Sequence, residues 1–402
     1  MTDTVDIQPI HLGEPLDAAR FGARSVRLSQ LAVLGLPVPE GVVLSVNAVR
    51  EIAELGIFPE FPAGLCDGLV SVRGSAPEPE WGGPTAVLNI GICDAIMPDL
   101  IKKVGELGAY TLYRRFIQSF STNVMGLDAE VFDGHETDGA ARIAHCKAAY
   151  LAEVDQAFPQ DPMEQLRLTL KHMAEAWNRP TARILREAKG APLNAGIALI
   201  VQRMALGIGQ GVCGAGAVQM VDDVTGAPRL WGRFLPQSQG QDALIGGAVA
   251  LPVCGDTGSL EAQCPAILAE FMRLGKLASA GFGEALQFEF TLENGVLSIL
   301  DATPAKRNAR AAVRIAVDLA EAGAISRNDA LLRIEPRSLI EHLHPQIAPN
   351  AARDVFSTGL PASPGAAIGR IVFTPEAAMA SAARGEACIL VRHETSPEDI
   401  RG

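Results

Sequence analysis

A β-hairpin is the most plainly encoded element of this chain, and it lies at residues 286–300, which read LQFEFTLENGVLSIL. From Leu286 to Leu292 the even-numbered residues are apolar and the odd-numbered ones polar, and this period of two predicts a strand with one buried face. Asn294-Gly295 is a typical hairpin turn, and the apolar residues that follow predict the returning strand. The segment therefore predicts an antiparallel pair of strands.

Other segments of the sequence predict further strands and helices. The apolar run at 198–201 predicts a buried strand, and residues 216–221 and 229–235 predict a second hairpin around Thr225-Gly226. Helical spacing predicts helices at 24–34, 109–126, 162–188 and 311–322, and a strand, a helix and a strand follow at 366–373, 375–383 and 387–391. The helix at 162 has a clear start, since Asp161 can cap it and Pro162 fits its first turn.

The chain is acidic, and its length suggests two or three domains. It has 402 residues, with 34 Lys and Arg against 46 Asp and Glu, which gives a net charge of −12. This charge repels nucleic-acid phosphates and anionic lipids, so we predict neither nucleic acid nor a membrane as a partner.

The N-terminus lacks a signal-peptide pattern, which predicts a cytoplasmic protein. The seven cysteines include no CxxC pair, which argues against a zinc site.

A series of short motifs runs from about residue 20 to the last residue. They lie at 34–39, 71–73, 87–91, 113–116, 239–240, 289–291, 306–307, 360–367 and 394–400. In order and spacing they resemble the family of pyruvate phosphate dikinase and its relative phosphoenolpyruvate synthase. Each motif alone is weak, and it is their shared order that carries the resemblance.

The resemblance implies an α+β architecture in two parts. Residues 1–345 would form an ATP-grasp-type nucleotide-binding domain with a helical insert, divided at about 1–108, 109–195 (helical) and 196–345. A linker at 346–357 would lead to residues 358–402, an incomplete β/β/α swivelling domain of the phosphohistidine type. The family's phosphorylatable histidine and its pyruvate-binding barrel lie beyond the motifs matched here. His393 does not occupy the position of that histidine, so we assign it no catalytic role.

The resemblance also implies an ATP site. Arg24 falls on the lysine of the family's glycine-rich phosphate segment, of which Gly22 is the only glycine kept. Arg73 and Arg115 match phosphate-contacting arginines. The remaining positions are Gln202, Arg203 and Met204, which match the hinge that meets adenine mainly through backbone groups, and Asp242 in the motif that begins at 239.

For Mg²⁺ the resemblance implies two ligands. Glu289 matches a magnesium ligand, and Asp301 replaces a glutamine that is its partner in the family. If the hairpin turn spans the three residues 293–295, Glu289 and Asp301 lie on the same face of the sheet.

Several family positions are altered, which leaves two main hypotheses open. Arg233 and Gln241 replace glutamates, and Thr303 replaces an arginine. The first hypothesis is a dikinase-like, ATP-binding kinase or phosphotransferase module with a degenerate site. The second is an inactive regulatory or scaffold pseudoenzyme that binds a protein partner, or another chain that completes its C-terminal domain. A weaker third alternative is an ATP-grasp ligase.

Overall fold

The chain is seen in a computed structural model that describes residues 7–11, 13, 16–132, 139–240, 250–255, 257–336, 339, 347–348, 351–357 and 366–392. It divides into two compact units. The first comprises Met1–Asp222 and Pro228–Lys306, and the second comprises Asp223–Ala227 and Arg307–Gly402. This division falls earlier in the chain than residue 345, and the predicted domain limits remain a prediction. The fold is mixed helix and sheet, as the α+β prediction requires.

The first unit contains two five-stranded antiparallel sheets. The strands are β1 Ile7–Pro9, β2 Gly41–Leu44, β3 Val70–Ser75, β4 Val87–Ile90, β5 Ala198–Arg203, β6 Gly214–Val221, β7 Pro228–Pro236, β8 Leu251–Pro252, β9 Leu286–Glu293 and β10 Val296–Pro304. The first sheet has the order β1-β2-β5-β3-β4 and the second β10-β9-β6-β7-β8. The helices are α1 Ala18–Val33, α2 Val46–Leu55, α3 Met97–Val104, α4 Glu106–Asn123, α5 Gly139–Val154, α6 Pro162–Trp177, α7 Pro180–Glu187, α8 Leu260–Gln263 and α9 Ala266–Phe282.

The first sheet is buried on both faces, and strand β5 shows this most directly. Leu199 and Val201 belong to a core that includes residues of α2 through α6. Ala198 and Ile200 belong to a second core formed with α1, α9 and the second sheet. Because alternate residues of a strand point to opposite faces, both sets must be apolar. This explains the uninterrupted apolar run, and the strand predicted at 198–201 is confirmed.

The hairpin predicted at 286–300 is formed by β9 and β10. Glu293 pairs with Val296, so the turn has two residues, and Asn294 and Gly295 both have positive φ angles (50° and 77°). The turn predicted at Asn294-Gly295 is therefore confirmed, and the three-residue alternative at 293–295 does not occur. The register shifts between Ile299 and Asp301, which makes Leu300 the extra residue of a β-bulge.

The long helix expected at 162–188 is in fact two helices. Its start is confirmed, because the Asp161 side chain accepts a hydrogen bond from the Met163 N–H at 3.0 Å. It ends at Trp177, and α7 begins at Pro180 after Arg179 adopts an extended ψ of 141°. The residue before a proline is sterically driven out of helical geometry, and this accounts for the break.

The second unit holds α10 Ala309–Glu321 and α11 Arg327–Leu332, followed by β11 Arg370–Val372, α12 Pro375–Ala383 and β12 Cys388–Leu390. Strands β11 and β12 are parallel neighbours. The predicted strand, helix and strand are present, although both strands are shorter than expected. Most of the motif at 360–367, together with His393 and residues 394–400, lies outside the described residues. Within the described helices, none is long and apolar enough to cross a membrane.

Candidate functional site

A close approach of helix α1 to strand β3 builds the base of the site. Gly22 interrupts the helix with a φ of 74°, and a Cβ atom there would lie 1.9 Å from the Ser75 carbonyl oxygen. The Ser75 hydroxyl donates to the Phe21 carbonyl at 3.0 Å and accepts from the Ser25 N–H at 3.1 Å. Only glycine tolerates both this φ and this contact. Gly22 therefore lets α1 sit directly against the end of β3.

Two arginines of α1 converge on one buried carboxylate of β10. Arg24 Nε donates to Asp301 Oδ2 at 2.8 Å. Arg27 binds both carboxylate oxygens, Nε to Oδ1 and Nη2 to Oδ2, each at 3.1 Å. The side chain of Asp301 is 1% exposed, whereas those of Arg24 and Arg27 are 33% and 17% exposed. The three side chains form an ion-pair cluster that joins helix α1 to the second sheet.

The electrostatics of this cluster favour the charged forms. Burial alone raises the pKa of Asp301, but the charges and hydrogen bonds of Arg24 and Arg27 hold that pKa below its usual value. Burial lowers the pKa of Arg24, and the charge of Asp301 more than compensates, so the pKa is raised. Asp301 is therefore ionised at neutral pH and Arg24 is cationic.

Arg73 of β3 adds a third guanidinium. Its Nη1 donates to the Leu300 carbonyl at 3.0 Å, and its Nη2 donates to Gln202 Oε1. Burial and the nearby charge of Arg24 lower the pKa of Arg73 to about 10, against the opposing effect of Asp301 and Glu289. The Nε atom of Arg73 is buried and has no hydrogen-bond partner among the described residues. A buried N–H group without an acceptor lowers the stability of the folded protein. An oxygen atom of a bound ligand would supply the acceptor that Arg73 Nε lacks.

Glu289 lies directly opposite Asp301 in the pairing of β9 with β10. Paired residues share a face of an antiparallel sheet, so the expected common face is found, although the bulge at Leu300 produces it rather than a longer turn. Glu289 is exposed and makes no hydrogen bond or ion pair with the described residues. Its charge acts on Arg24 and Arg73 through space.

The two carboxylates do not form a ready site for magnesium. Mg²⁺ requires near-octahedral oxygen ligands, and both oxygens of Asp301 already accept from arginine. No group of three or more His, Cys, Asp or Glu side chains that could hold a metal occurs among the described residues. In this arrangement the residues do not fit the ion, and the magnesium role of Glu289 and Asp301 remains a prediction.

The predicted adenine hinge comprises the last two residues of strand β5 and Met204 just after it, and its side-chain and backbone groups bond to neighbouring segments. Gln202 is buried, and its Nε2 donates to the Pro39 carbonyl at 2.9 Å. The backbone N–H of Arg203 donates to the Glu40 carbonyl, and that of Met204 donates to the Leu69 carbonyl, both at 2.8 Å. These two backbone N–H groups therefore already donate to backbone carbonyls.

Two other predicted ATP contacts are Arg115 and Asp242. Arg115 lies half-buried on α4, a helix that packs on α3, α5 and β4. Asp242 lies outside the described residues. Their roles remain predictions.

Arg27 is the site residue that sequence reasoning missed. It lies three residues after Arg24 on the same helix, a spacing that places two side chains on one face. That spacing was a readable signal. Its partner Asp301, however, is 274 residues away, and no local pattern connects the two.

The chain was compared with known proteins. No protein-family model matches it. It is 35% identical to a "Pyruvate, phosphate dikinase" of Rhizobium meliloti (strain 1021), over 97% of this chain and 49% of that protein. It is 33% identical to "Pyruvate, phosphate dikinase 2" of Oryza sativa subsp. japonica, over 95% of this chain and 47% of the relative. A "Pyruvate, phosphate dikinase" of Clostridium symbiosum is also 33% identical, with 95% and 48% covered. The chain spans about half the length of the curated relatives that it matches.

Proposed function

Because the chain is a homologue of the pyruvate, phosphate dikinases over about half of their length, we propose that it is a dikinase-like, ATP-binding module of the ATP-grasp type. Arg24, Arg27 and Arg73 would hold the phosphate groups of the nucleotide. The hinge at 202–204 would lie beside the adenine. The assignment to a dikinase-like phosphotransferase module rests on the homology.

One observation carries the binding proposal, and it is the buried Nε–H of Arg73 that lacks an acceptor. Guanidinium groups match phosphate oxygens in geometry and charge, and such charge-assisted hydrogen bonds are among the strongest in proteins. Arg24 and Arg27, which both bind the Asp301 carboxylate, bring two more guanidiniums to the site. The three cations outnumber the carboxylates Asp301 and Glu289, which leaves a net charge of +1 for an anion to neutralise.

Thermal unfolding in the presence of ATP tests this proposal. A ligand that binds only the folded state raises its stability by about 2.7 kcal/mol at a concentration of 100 times Kd. We expect the unfolding midpoint to rise with ATP concentration and to saturate. Sodium sulfate at matched ionic strength is the control and should give a much smaller rise. No ATP-dependent rise, with or without magnesium, would overturn the proposal.

A second candidate is a non-catalytic regulator or scaffold that keeps the nucleotide cleft. Both oxygens of Asp301 already accept from arginine, so this carboxylate is not open to a magnesium ion. This favours the second candidate, because phosphoryl transfer depends on metal ions that neutralise the developing charge. We expect such a protein to bind ATP without forming ADP or AMP. It should also change the rate of a purified full-length pyruvate, phosphate dikinase when the two are mixed. Steady turnover of ATP by the chain alone would exclude this candidate.

A further inference from the structure

We propose that Asp301 is a positioning residue that fixes Arg24 and Arg27 for the nucleotide phosphates, and that the site therefore binds nucleotide without a divalent cation. This inference rests on the proposed ATP-binding function and specifies its ligand as the metal-free, fully anionic nucleotide.

The acceptor capacity of Asp301 is already used. A carboxylate offers about four lone-pair sites to hydrogen-bond donors or metals. On Oδ2 these are met by Arg24 Nε and Arg27 Nη2. On Oδ1 they are met by Arg27 Nε at 3.1 Å and by the backbone N–H of Ala302 at 2.8 Å. A metal ion could bind Asp301 only by displacing an arginine from a carboxylate that is 1% exposed.

The local charge argues in the same direction. Arg24, Arg27 and Arg73 contribute +3, while Asp301 and Glu289 contribute −2, so the net charge is +1. A divalent cation placed at the two carboxylates would raise this net charge to +3. Burial, and after it the charges of Arg24 and Arg27, lower the pKa of Arg73. The cluster is thus suited to receive an anion and unsuited to receive a further cation.

The ion pairs leave donors for that anion. Each guanidinium has five N–H groups. With the described residues, Arg24 uses one toward Asp301 and one toward the Gly74 carbonyl, and Arg27 uses two toward Asp301. Three N–H groups remain on each arginine, and Asp301 fixes the plane in which they lie. Such pre-orientation reduces the entropy that binding would otherwise cost.

Calorimetric titration of ATP into the full chain tests the inference in two buffers, one with excess EDTA and one with saturating MgCl₂. We expect ATP to bind in EDTA at least as tightly as in magnesium. Binding that is about tenfold or more tighter in magnesium would overturn the inference while sustaining the proposed function. Binding in neither buffer would overturn the proposed function itself, and the inference with it. The two failures are therefore distinguishable.

Variants then separate positioning from metal ligation. In EDTA, Asp301→Asn should weaken ATP binding by about tenfold or more, because charged hydrogen bonds that orient the arginines are lost. If Asp301 acted only as a metal ligand, its substitution would leave ATP binding in EDTA unchanged. Arg27→Lys keeps the charge but loses the bidentate geometry, and it should weaken ATP binding in EDTA with less risk to folding. Arg50→Lys on α2 is the matched control. If Asp301→Asn and Arg27→Lys, both folded by circular dichroism, bind ATP in EDTA as the wild type does, the inference is wrong.

Discussion

Arg27 and Asp301 form a bidentate ion pair across 274 residues of sequence, with both N–O distances at 3.1 Å. Arg27 lies on α1 and Asp301 on β10, beside the bulge at Leu300. Without the extra residue of the bulge, Asp301 would fall on the opposite face of the strand. The pair therefore depends on the register of the second sheet as well as on the placement of α1.

Replacing Asp301 should destabilise the fold. Breaking a buried ion pair by removal of one partner costs about 3–5 kcal/mol. For Asp301→Ala we expect about 3 kcal/mol, the lower end of that range, because Arg24 and Arg27 are partly exposed and water can solvate them in part. Urea unfolding monitored by circular dichroism measures the change. Asp99→Asn removes the partner of Lys102 in an ion pair whose side chains are 77% and 84% exposed, and it should leave stability unchanged. Equal effects of the two substitutions would contradict the assignment of a buried pair.

The stabilisation by Asp301 should vanish in acid. Its pKa in the folded state is lowered, and the unfolded value is about 3.9. The unfolded state therefore takes up protons first as the pH falls, so the contribution is complete above about pH 4 to 5 and is lost below it. Urea midpoints of the wild type and of Asp301→Ala should differ by a constant amount from about pH 7 to pH 5 and converge in more acidic buffer. If the two midpoints converged as the pH rises instead, the pKa of Asp301 would be raised on folding and not lowered.

Gly22→Ala should disrupt the contact between α1 and β3. The substitution places a Cβ atom 1.9 Å from the Ser75 carbonyl oxygen and imposes a φ of 74° on alanine. Gly35→Ala, just after the same helix, imposes a φ of 79° but finds no atom within 4 Å. Gly35→Ala is the control, and it should lower the free energy of unfolding by about 1–2 kcal/mol through backbone conformation alone. Gly22→Ala should lower it clearly more. Similar unfolding midpoints for the two variants would mean that the close approach does not matter.

Arg73→Met should weaken ATP binding with a fold that is retained. The substitution removes the buried Nε–H and its charge while keeping much of the side-chain volume. A lost charge-assisted hydrogen bond of about 1.5–3 kcal/mol corresponds to a tenfold or greater rise in Kd. Arg273→Met on α9 is the control, because that arginine is 58% exposed and pairs with Glu270. Calorimetry that finds the same Kd for both variants would remove Arg73 from the nucleotide site.

Asp161→Ala should destabilise α6 through loss of its N-cap. The Asp161 carboxylate accepts from the Met163 N–H at 3.0 Å, and removal of such a cap costs about 1 kcal/mol. Asp161→Asn retains an acceptor oxygen and should be nearly neutral. Urea unfolding of the two variants should therefore differ. If the asparagine variant lost as much stability as the alanine variant, charge rather than the cap would be responsible.

Much of the secondary structure could be predicted because its signals are local. The helix at 375–383 has the bounds that the sequence suggested, and Asp161 caps its helix as expected. The break between α6 and α7 was missed although Pro180 encodes it, because helical spacing continues on both sides. The bulge at Leu300 could not be predicted, since it depends on which residues of β9 and β10 pair.

The sequence by itself determined the period-two strands, the Asn294-Gly295 turn and the resemblance to a dikinase. These follow from backbone sterics and from patterns a few residues long. The tertiary structure alone decided that Arg27 joins Arg24 on Asp301 and that Arg73 keeps a buried N–H without an acceptor. Those facts arise from the packing of α1, β3 and β10, which lie far apart in sequence, because ion pairs depend on distance in space and not on separation along the chain.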